Sequence, residues 1–221
     1  MLSKALIAWS SGKDSAWALH EIRKTGEFEI AGALTTLTST FSRVSMHGVR
    51  EALLREQLRA AQLQPVIAQI PFPCPNDVYE KTMTEVLAVA RASKVTHIVF
   101  GDLFLEDVRK YRERQLAGTG ITPLFPLWGR PTARLAQQMI DAGLEARLCA
   151  VDLGKLPASF SGRCYDKVLL ETLPTGTDHC GENGEFHTFV TDGPMLLKKI
   201  AVSSGMTVER DGYAYTDLLP A

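Results

Sequence analysis

Ala5-Leu6-Ile7-Ala8-Trp9-Ser10-Ser11-Gly12-Lys13-Asp14-Ser15-Ala16-Trp17-Ala18-Leu19-His20-Glu21-Ile22 is the stretch from which the fold can be read. Residues 5–9 are apolar without alternation, which predicts a strand buried on both faces of a parallel sheet. Ala16, Leu19 and Ile22 then recur at helical spacing. Between strand and helix lies a polar turn, residues 10–15, with one glycine. Such a turn is an anion site, because backbone N–H groups converge there and the helix dipole favours negative charge. Gly12 lets the backbone approach an oxyanion closely. Ser10, Ser11 and Ser15 add hydroxyl donors, and Lys13 adds a point charge. Asp14 would repel an anion unless a cation stood between them, so it suggests Mg²⁺. The plainer alternative is a serine-rich turn capped by Asp14 or Ser15.

Outward from this unit, strand and helix patterns alternate. Strands are expected at 28–37, 65–70 and 97–100. Helices are expected at 49–61, at 76–93 with Asn76 as N-cap, and at 106–115. The alternation predicts βαβ units, hence an α/β fold with a parallel sheet and helices on both faces. Thr35 heads a polar segment at a strand's C-terminal end, the edge where open α/β sheets bind ligands. Gly101-Asp102 ends the fourth strand, with Asp102 either a ligand or a helix N-cap. Residues 41–47 read as a loop and 121–128 as a proline-interrupted strand. A helix at 132–142, a strand at 144–153 and a short helix at 166–173 follow. From Glu185 onward the chain favours β-structure: 186–191, 199–203, 206–209 and 213–218, with Asp211-Gly212 as a hairpin turn. The chain therefore divides into units 1–128 and 129–221, the second smaller and α+β. No flexible linker separates them, so a cleft at their junction is the expected ligand site.

Whole-chain properties narrow the classes. A net charge of −1 gives no general attraction to nucleic acid or membrane. No stretch approaches 18 continuous apolar residues, and the first residues lack a signal-peptide pattern. Cys74, Cys149, Cys164 and Cys180 are widely spaced and form no C-x-x-C. They read as idle thiols in a reducing cytoplasm.

A second stretch carries chemistry: Gly181-Glu182-Asn183-Gly184-Glu185-Phe186-His187-Thr188. In an extended strand, Glu185 and His187 share a face. They can form an acid/base pair or hold Mg²⁺; equally, they can be solvated charges on an edge strand after a glycine turn. His47 and Arg50, at a helix start, either bind phosphate or are simply solvated. Arg109, Arg112 and Arg114 read as a solvated helical face, and Trp128 as core.

Residues 10–15 resemble the PP-loop, S-G-G-x-D-S, of the ATP pyrophosphatase superfamily, with Ser11 where many members have the first glycine. Together with Gly101-Asp102, the Pro123–Trp128 run and the late Gly-Glu-Asn-Gly-Glu-Phe-His-Thr, they resemble the diphthine–ammonia ligase family and its prokaryotic relatives. The late motif differs from that family's G-E-G-G-E-[FY]-H-T at Asn183. The resemblance implies a HUP-type ATP-binding domain over 1–128 and a substrate domain over 129–221. It implies an amide made from a carboxylate, diphthine-like and carried on a protein side chain in that family, and ammonia. The route is an acyl-adenylate, with release of AMP and pyrophosphate. It places Ser10, Ser11, Gly12, Lys13, Asp14, Ser15, Thr35, Gly101 and Asp102 at ATP, and Asp14 and Asp102 at Mg²⁺. Lys13, Glu182, Glu185 and His187 become the catalytic set, in a cytoplasmic protein that can form a homodimer. A tRNA-modifying relative and an ATP or AMP sensor are the alternatives. Paired cysteines and a basic surface, expected of the first, are absent; the Glu185/His187 pair argues against the second. A shared site requires Glu182, Glu185 and His187 to lie within about 15 Å of Gly12, on the reach of an extended nucleotide diphosphate.

Overall fold

The computed structural model describes residues 2–221. The first sheet is built from β1 (Ser3–Ala8), β2 (Phe28–Thr38), β3 (Arg43–Val44), β4 (Pro65–Ile70), β5 (Val95–Val99) and β6 (Thr122–Leu124). β1 lies between β2 and β5, β5 carries β6 and β2 carries β4, all in parallel. The two-residue β3 pairs antiparallel with the end of β2, inside the segment expected to be a loop. The chain reverses direction across the sheet at β1 and β5. In such folds the ligand crevice opens there, beyond the strand C-termini.

The strands show why the sheet is covered on both sides. Ala5 and Ile7 of β1 join one core with α1 (Lys13–Thr25) and α2 (Glu51–Ala60). Leu6, between them, joins a second core with α3 (Asn76–Ala92) and Leu116 of α4 (Glu106–Leu116). Alternate side chains of one strand thus feed opposite layers.

The C-terminal part continues with α5 (Thr132–Asp141), β7 (Glu145–Asp152), a single 3-10 turn (Ala158–Phe160), α6 (Lys167–Thr172), β8 (Phe186–Asp192), β9 (Val202–Arg210) and β10 (Tyr213–Pro220). Its four strands form an antiparallel sheet in the order β8-β7-β10-β9. Leu148 of β7 and Phe189 of β8 belong to the same apolar core as Ile7 and Leu19. No linker intervenes, and α1 is sandwiched between the two sheets. That explains why Ala16, Trp17, Ala18 and Leu19 are all buried, more than one amphipathic stripe would require. Among the described residues, no helix is long and apolar enough to cross a membrane.

Four sequence expectations need correction. Asn76 is the first residue of α3 rather than its cap; Pro75 takes the cap position, and Asn76 Nδ2 donates to Glu80 Oε1 at 2.8 Å. Asp102 is no cap either, since α4 begins four residues later at Glu106. Only Thr122–Leu124 of the 121–128 run is strand. Pro123 is tolerated because β6 is the sheet edge, and Phe125–Trp128 closes into a turn, with Trp128 N donating to Phe125 O. Segments 199–203 and 206–209 merge into β9, starting at Val202 and running through Gly205. The Asp211-Gly212 hairpin is present, both residues having positive φ (53° and 82°) as a type I′ turn requires.

Candidate active site

A cavity of about 360 Å³ opens between the two halves, at the C-terminal ends of β1 and β5. Ser10, Lys13, Asp14, Ser15, Gly101, Asp102, Glu182 and His187 line it. Eight residues expected at one site from three separate stretches therefore meet. Thr188 Oγ1 accepts from Lys13 N at 3.1 Å, and Val190 N donates to Ser11 O at 3.0 Å. The strand into which the late motif runs thus rests directly on the early turn.

The turn is held by its backbone. Ser11 has φ 73°, a left-handed conformation that costs a non-glycine residue about 1–2 kcal/mol. Glycine would adopt it freely, which is the physical content of the departure from S-G-G-x-D-S. Gln57 Nε2 and Val190 N both donate to Ser11 O at 3.0 Å and hold the strained residue; its Oγ is buried without a partner. Gly12 has ordinary φ, −86°. It is needed for space: a Cβ would stand 2.8 Å from His47 Cε1 and 3.3 Å from Thr188 O. Its close neighbours are thus protein groups. Gly101 is needed for the same reason, because a Cβ would fall 2.7 Å from the Asp14 carbonyl carbon. Of the first amides of α1, that of Lys13 is taken by Thr188. Those of Asp14 and Ser15 remain for a ligand.

Lys13 is nearly fully buried. Its Nζ donates to Asp14 Oδ2 at 2.8 Å and to the Cys180 carbonyl, and lies 5.4 and 5.5 Å from the Phe186 and Tyr165 rings. Burial works against its charge, but Asp14 and Glu182 more than offset this, and its pKa is raised. Lys13 therefore joins the two halves as an ammonium. Burial raises the Asp14 pKa, opposed by Lys13. Burial also raises that of Asp102, opposed by Arg112, whose Nε stands 3.6 Å from Asp102 Oδ2.

Glu182 bridges the halves from the other side, its Oε1 accepting from Leu103 N at 2.7 Å. Burial, with Asp14 and Asp102 adding to it, raises its pKa to about 7. Glu185 behaves differently. It is buried, lies outside the cavity lining, and its Oε1 accepts from Asp178 N and Asn183 Nδ2, both at 3.0 Å. Asn183, where the family has glycine, supplies one of these donors. Asp178 Oδ2 in turn accepts from the Cys180 and Glu182 amides. Glu185 precedes β8 and so does not share a strand face with His187; it braces the loop from within. His187 faces the cavity, and its Nε2 is buried without a partner. Burial, then Lys13 and Lys155, lowers its pKa to about 4.

Thr35 is displaced from the expected set. It is buried outside the cavity, and Leu34 and Thr36, one residue to either side, line it instead, as strand alternation requires. Arg50 pairs with Asp217 of β10 through Nε and Nη2. Arg112 turns inward to the cavity, and the Arg109 guanidinium lies 4.7 Å from the Trp128 ring centroid. Cys180 is no nucleophile, burial pushing its thiol up to about 12. Sequence reasoning missed the apolar end of the cavity: Met83, Leu87, Phe100 and Leu116 come from α3, α4 and the end of β5, and no spacing rule joins them.

Residues 131–217 match the family model for the diphthamide synthase C-terminal domain. The human protein named diphthine–ammonia ligase is 30% identical over 169 residues, covering 74% of this chain and 62% of that protein. The bovine protein of the same name is 31% identical over 64% of this chain and 55% of its own length, and the zebrafish one 34% over 47% and 43%. These matches support the diphthine–ammonia ligase family for this chain. It spans less than two thirds of the length of these relatives. Within the family pattern, Ser11 and Asn183 are the two departures described above, and both have a local structural account.

The cavity suits a magnesium nucleotide. Asp14 Oδ1 and Asp102 Oδ2 are buried and accept no hydrogen bond, Asp102 Oδ2 having only the Arg112 guanidinium 3.6 Å away. Among the described residues no three potential ligands cluster into a protein-only metal site. Two carboxylates completed by phosphate oxygens and water are the usual Mg²⁺ arrangement. Leu34, Met83, Leu87 and Phe100 offer a flat base an apolar surface at the other end.

Proposed function

We propose that the protein is an ATP-dependent ligase that forms an amide from a carboxylate and ammonia through an acyl-adenylate, releasing AMP and pyrophosphate. The observation carrying this reading is the docking of 181–190 onto 10–15, through Lys13 N to Thr188 Oγ1 and Val190 N to Ser11 O. It gives one cavity both an anion cradle and ionisable groups suited to acyl transfer. A carboxylate needs activation because hydroxide is a poor leaving group. ATP supplies an electrophilic α-phosphorus, and a bound Mg²⁺ would supply charge stabilisation for pyrophosphate as a leaving group.

The chain's own residues do the rest. The Asp14 and Ser15 amides, with the Ser10 hydroxyl, hold phosphate oxygens at the positive end of α1, while the Ser15 hydroxyl donates to Gly12 O and braces the turn. Lys13 adds fixed charge in a dry site, where it counts most. Asp14 and Asp102 would hold Mg²⁺, with phosphate oxygens and water completing its shell. Glu182, with a pKa near neutrality, exchanges a proton at working pH. His187 is neutral and accepts one. Glu185 is a positioning residue, keeping Glu182 and His187 in place through the loop. Residues 1–128 carry the nucleotide and 129–221 the carboxylate, for which diphthine, the substrate in the relatives' name, sets the chemical class. Incubation with ATP, Mg²⁺, ammonium and diphthine should yield AMP and pyrophosphate on chromatography; ADP as the main product would refute the reading.

A further inference from the structure

We propose that His47 and His187 together form the ammonia subsite, taking up the two protons that nitrogen must shed between ammonium and amide. The inference rests on the ligase reading and goes beyond it by adding His47 and assigning the nucleophile's place. The two imidazoles come from segments 140 residues apart and lie 4.6 Å apart between centroids, tilted by 36°, on the cavity wall beside Gly12. His47 Nδ1 lies 3.0 Å from Thr188 O. A carbonyl oxygen can only accept, so Nδ1 carries the proton and Nε2 keeps its lone pair. His187 Nε2 is buried, unpartnered and on the same wall. Gly12 preserves this arrangement, since any Cβ there would strike the His47 ring.

The charges around the pair keep both rings neutral and ready to accept. Lys13 on α1 and Lys155 after β7 face His187, Tyr213 of β10 stacks on it at 6.3 Å, and Lys13 also acts on His47. Burial lowers both pKa values, that of His47 well below its ordinary value. No carboxylate pairs with either ring. Phosphates bound at the turn bring negative charge beside Lys13, which strengthens both bases when the nucleotide is in place.

The chemistry balances. Ammonium gives one proton to an imidazole Nε2 and becomes a nucleophile. Its nitrogen attacks the acyl carbon, the C–N bond forms, and AMP leaves with the C–O electron pair. The added nitrogen gives its second proton to the other imidazole. No electrons are gained or lost overall.

His47→Asn tests this, because asparagine can still donate to Thr188 O but has no basic nitrogen. With diphthine as acceptor, kcat/KM for ammonium should fall on the order of 100-fold, the usual contribution of a general base. Hydroxylamine is largely unprotonated at neutral pH and needs one transfer fewer, so the hydroxylamine-to-ammonium rate ratio should rise at least tenfold (on the order of 10). A parallel fall for both nucleophiles, or no fall, overturns the proposal. A second test needs no turnover. ¹⁵N-histidine NMR of the wild type should show His47 as the Nδ1–H tautomer, and both rings should titrate at higher pH with ATP bound. An Nε2–H tautomer at His47, or titration indifferent to ATP, overturns it as well. If the wild type makes no AMP with diphthine and ammonium, the ligase reading itself fails, which differs from a working enzyme indifferent to His47.

Discussion

The turns at 10–15 and 178–185 both carry glycines and acidic residues, yet they are built by opposite means. The first is held through its backbone: Ser11 O accepts two donors, the Lys13 amide is taken by Thr188, and Gly12 and Gly101 clear space rather than bend the chain. The second bends at Gly181 and Gly184, with φ of 68° and 82°, and is held by the side chains of Asp178, Asn183 and Glu185. Residue types that look alike in a motif therefore do different work. Asp14 of the first turn lines the cavity; in the second, Glu185 lies behind the lining, with Oε1 accepting two hydrogen bonds that hold the loop. Lys13 is where the two constructions meet.

Removing that meeting point should have the largest effect. Lys13→Ala leaves Asp14, whose side chain is 27% exposed, without its cation; loss of one partner of a fully buried pair costs about 3–5 kcal/mol, and the partial exposure puts the cost here at or below the lower end. Chemical denaturation should show this alongside weaker ATP binding. An unchanged midpoint would mean that the halves do not depend on the pair, and Lys13/Asp14 double-mutant cycles would show where the energy lies.

Next in size is a pH effect that separates Glu182 from His187. Glu182 has a pKa raised from 4.5 to about 7, so its contribution is full below 4.5 and is lost as pH rises through 7. His187 has a pKa lowered from 6.5 to about 4, so its contribution is full above 6.5 and is lost as pH falls through 4. The two slopes oppose each other between roughly pH 4.5 and 6.5. Relative to wild type, Glu182→Gln should gain stability as pH rises across 4.5–7, by about 2 kcal/mol after allowance for partial exposure. His187→Gln should gain relative stability as pH falls below 6.5. Parallel stability–pH curves for the three proteins would contradict both assignments.

Glu185 distinguishes bracing from catalysis more gently. Glu185→Ala strands the Asp178 amide and Asn183, costing about 1–2 kcal/mol and most of the activity through loop disorder. Glu185→Gln can still accept both hydrogen bonds and should keep most activity. A glutamine variant as dead as the alanine one would restore Glu185 to the reacting groups. The smallest effect is expected at Ser11→Gly, which relieves the left-handed strain and should raise stability by at most about 1 kcal/mol, since glycine also loosens the unfolded chain. A lower melting temperature would mean that the buried Ser11 hydroxyl has a partner.

These contrasts show what the sequence could tell. Residues 65–70 were legible to the residue, and the strand–turn–helix at 5–22 was legible from an apolar run meeting a 3.6-residue period. Pairing of Glu182 with the early turn followed from the family resemblance. The rest depends on tertiary placement. Thr36 rather than Thr35 could have been found by counting faces along β2, had the strand's core-facing side been known. Asp102 looked like a cap because a helix followed, but the four residues before Glu106 remove it from that role. Arg112 lies on a helix whose other charges are solvated, and only its seat opposite Asp102 marks it out. His47 gains its chemistry from a ring 140 positions away, which no local pattern encodes.

The central claim is that the two turns serve one reaction on one nucleotide. Simultaneous quantification of AMP, ADP and amide, with ATP, Mg²⁺ and diphthine and with or without ammonium, tests it most directly. The account predicts one AMP per amide, ammonium dependence, and loss of both products together in Glu182→Ala. ADP formation, or AMP release at full rate in Glu182→Ala, would contradict it.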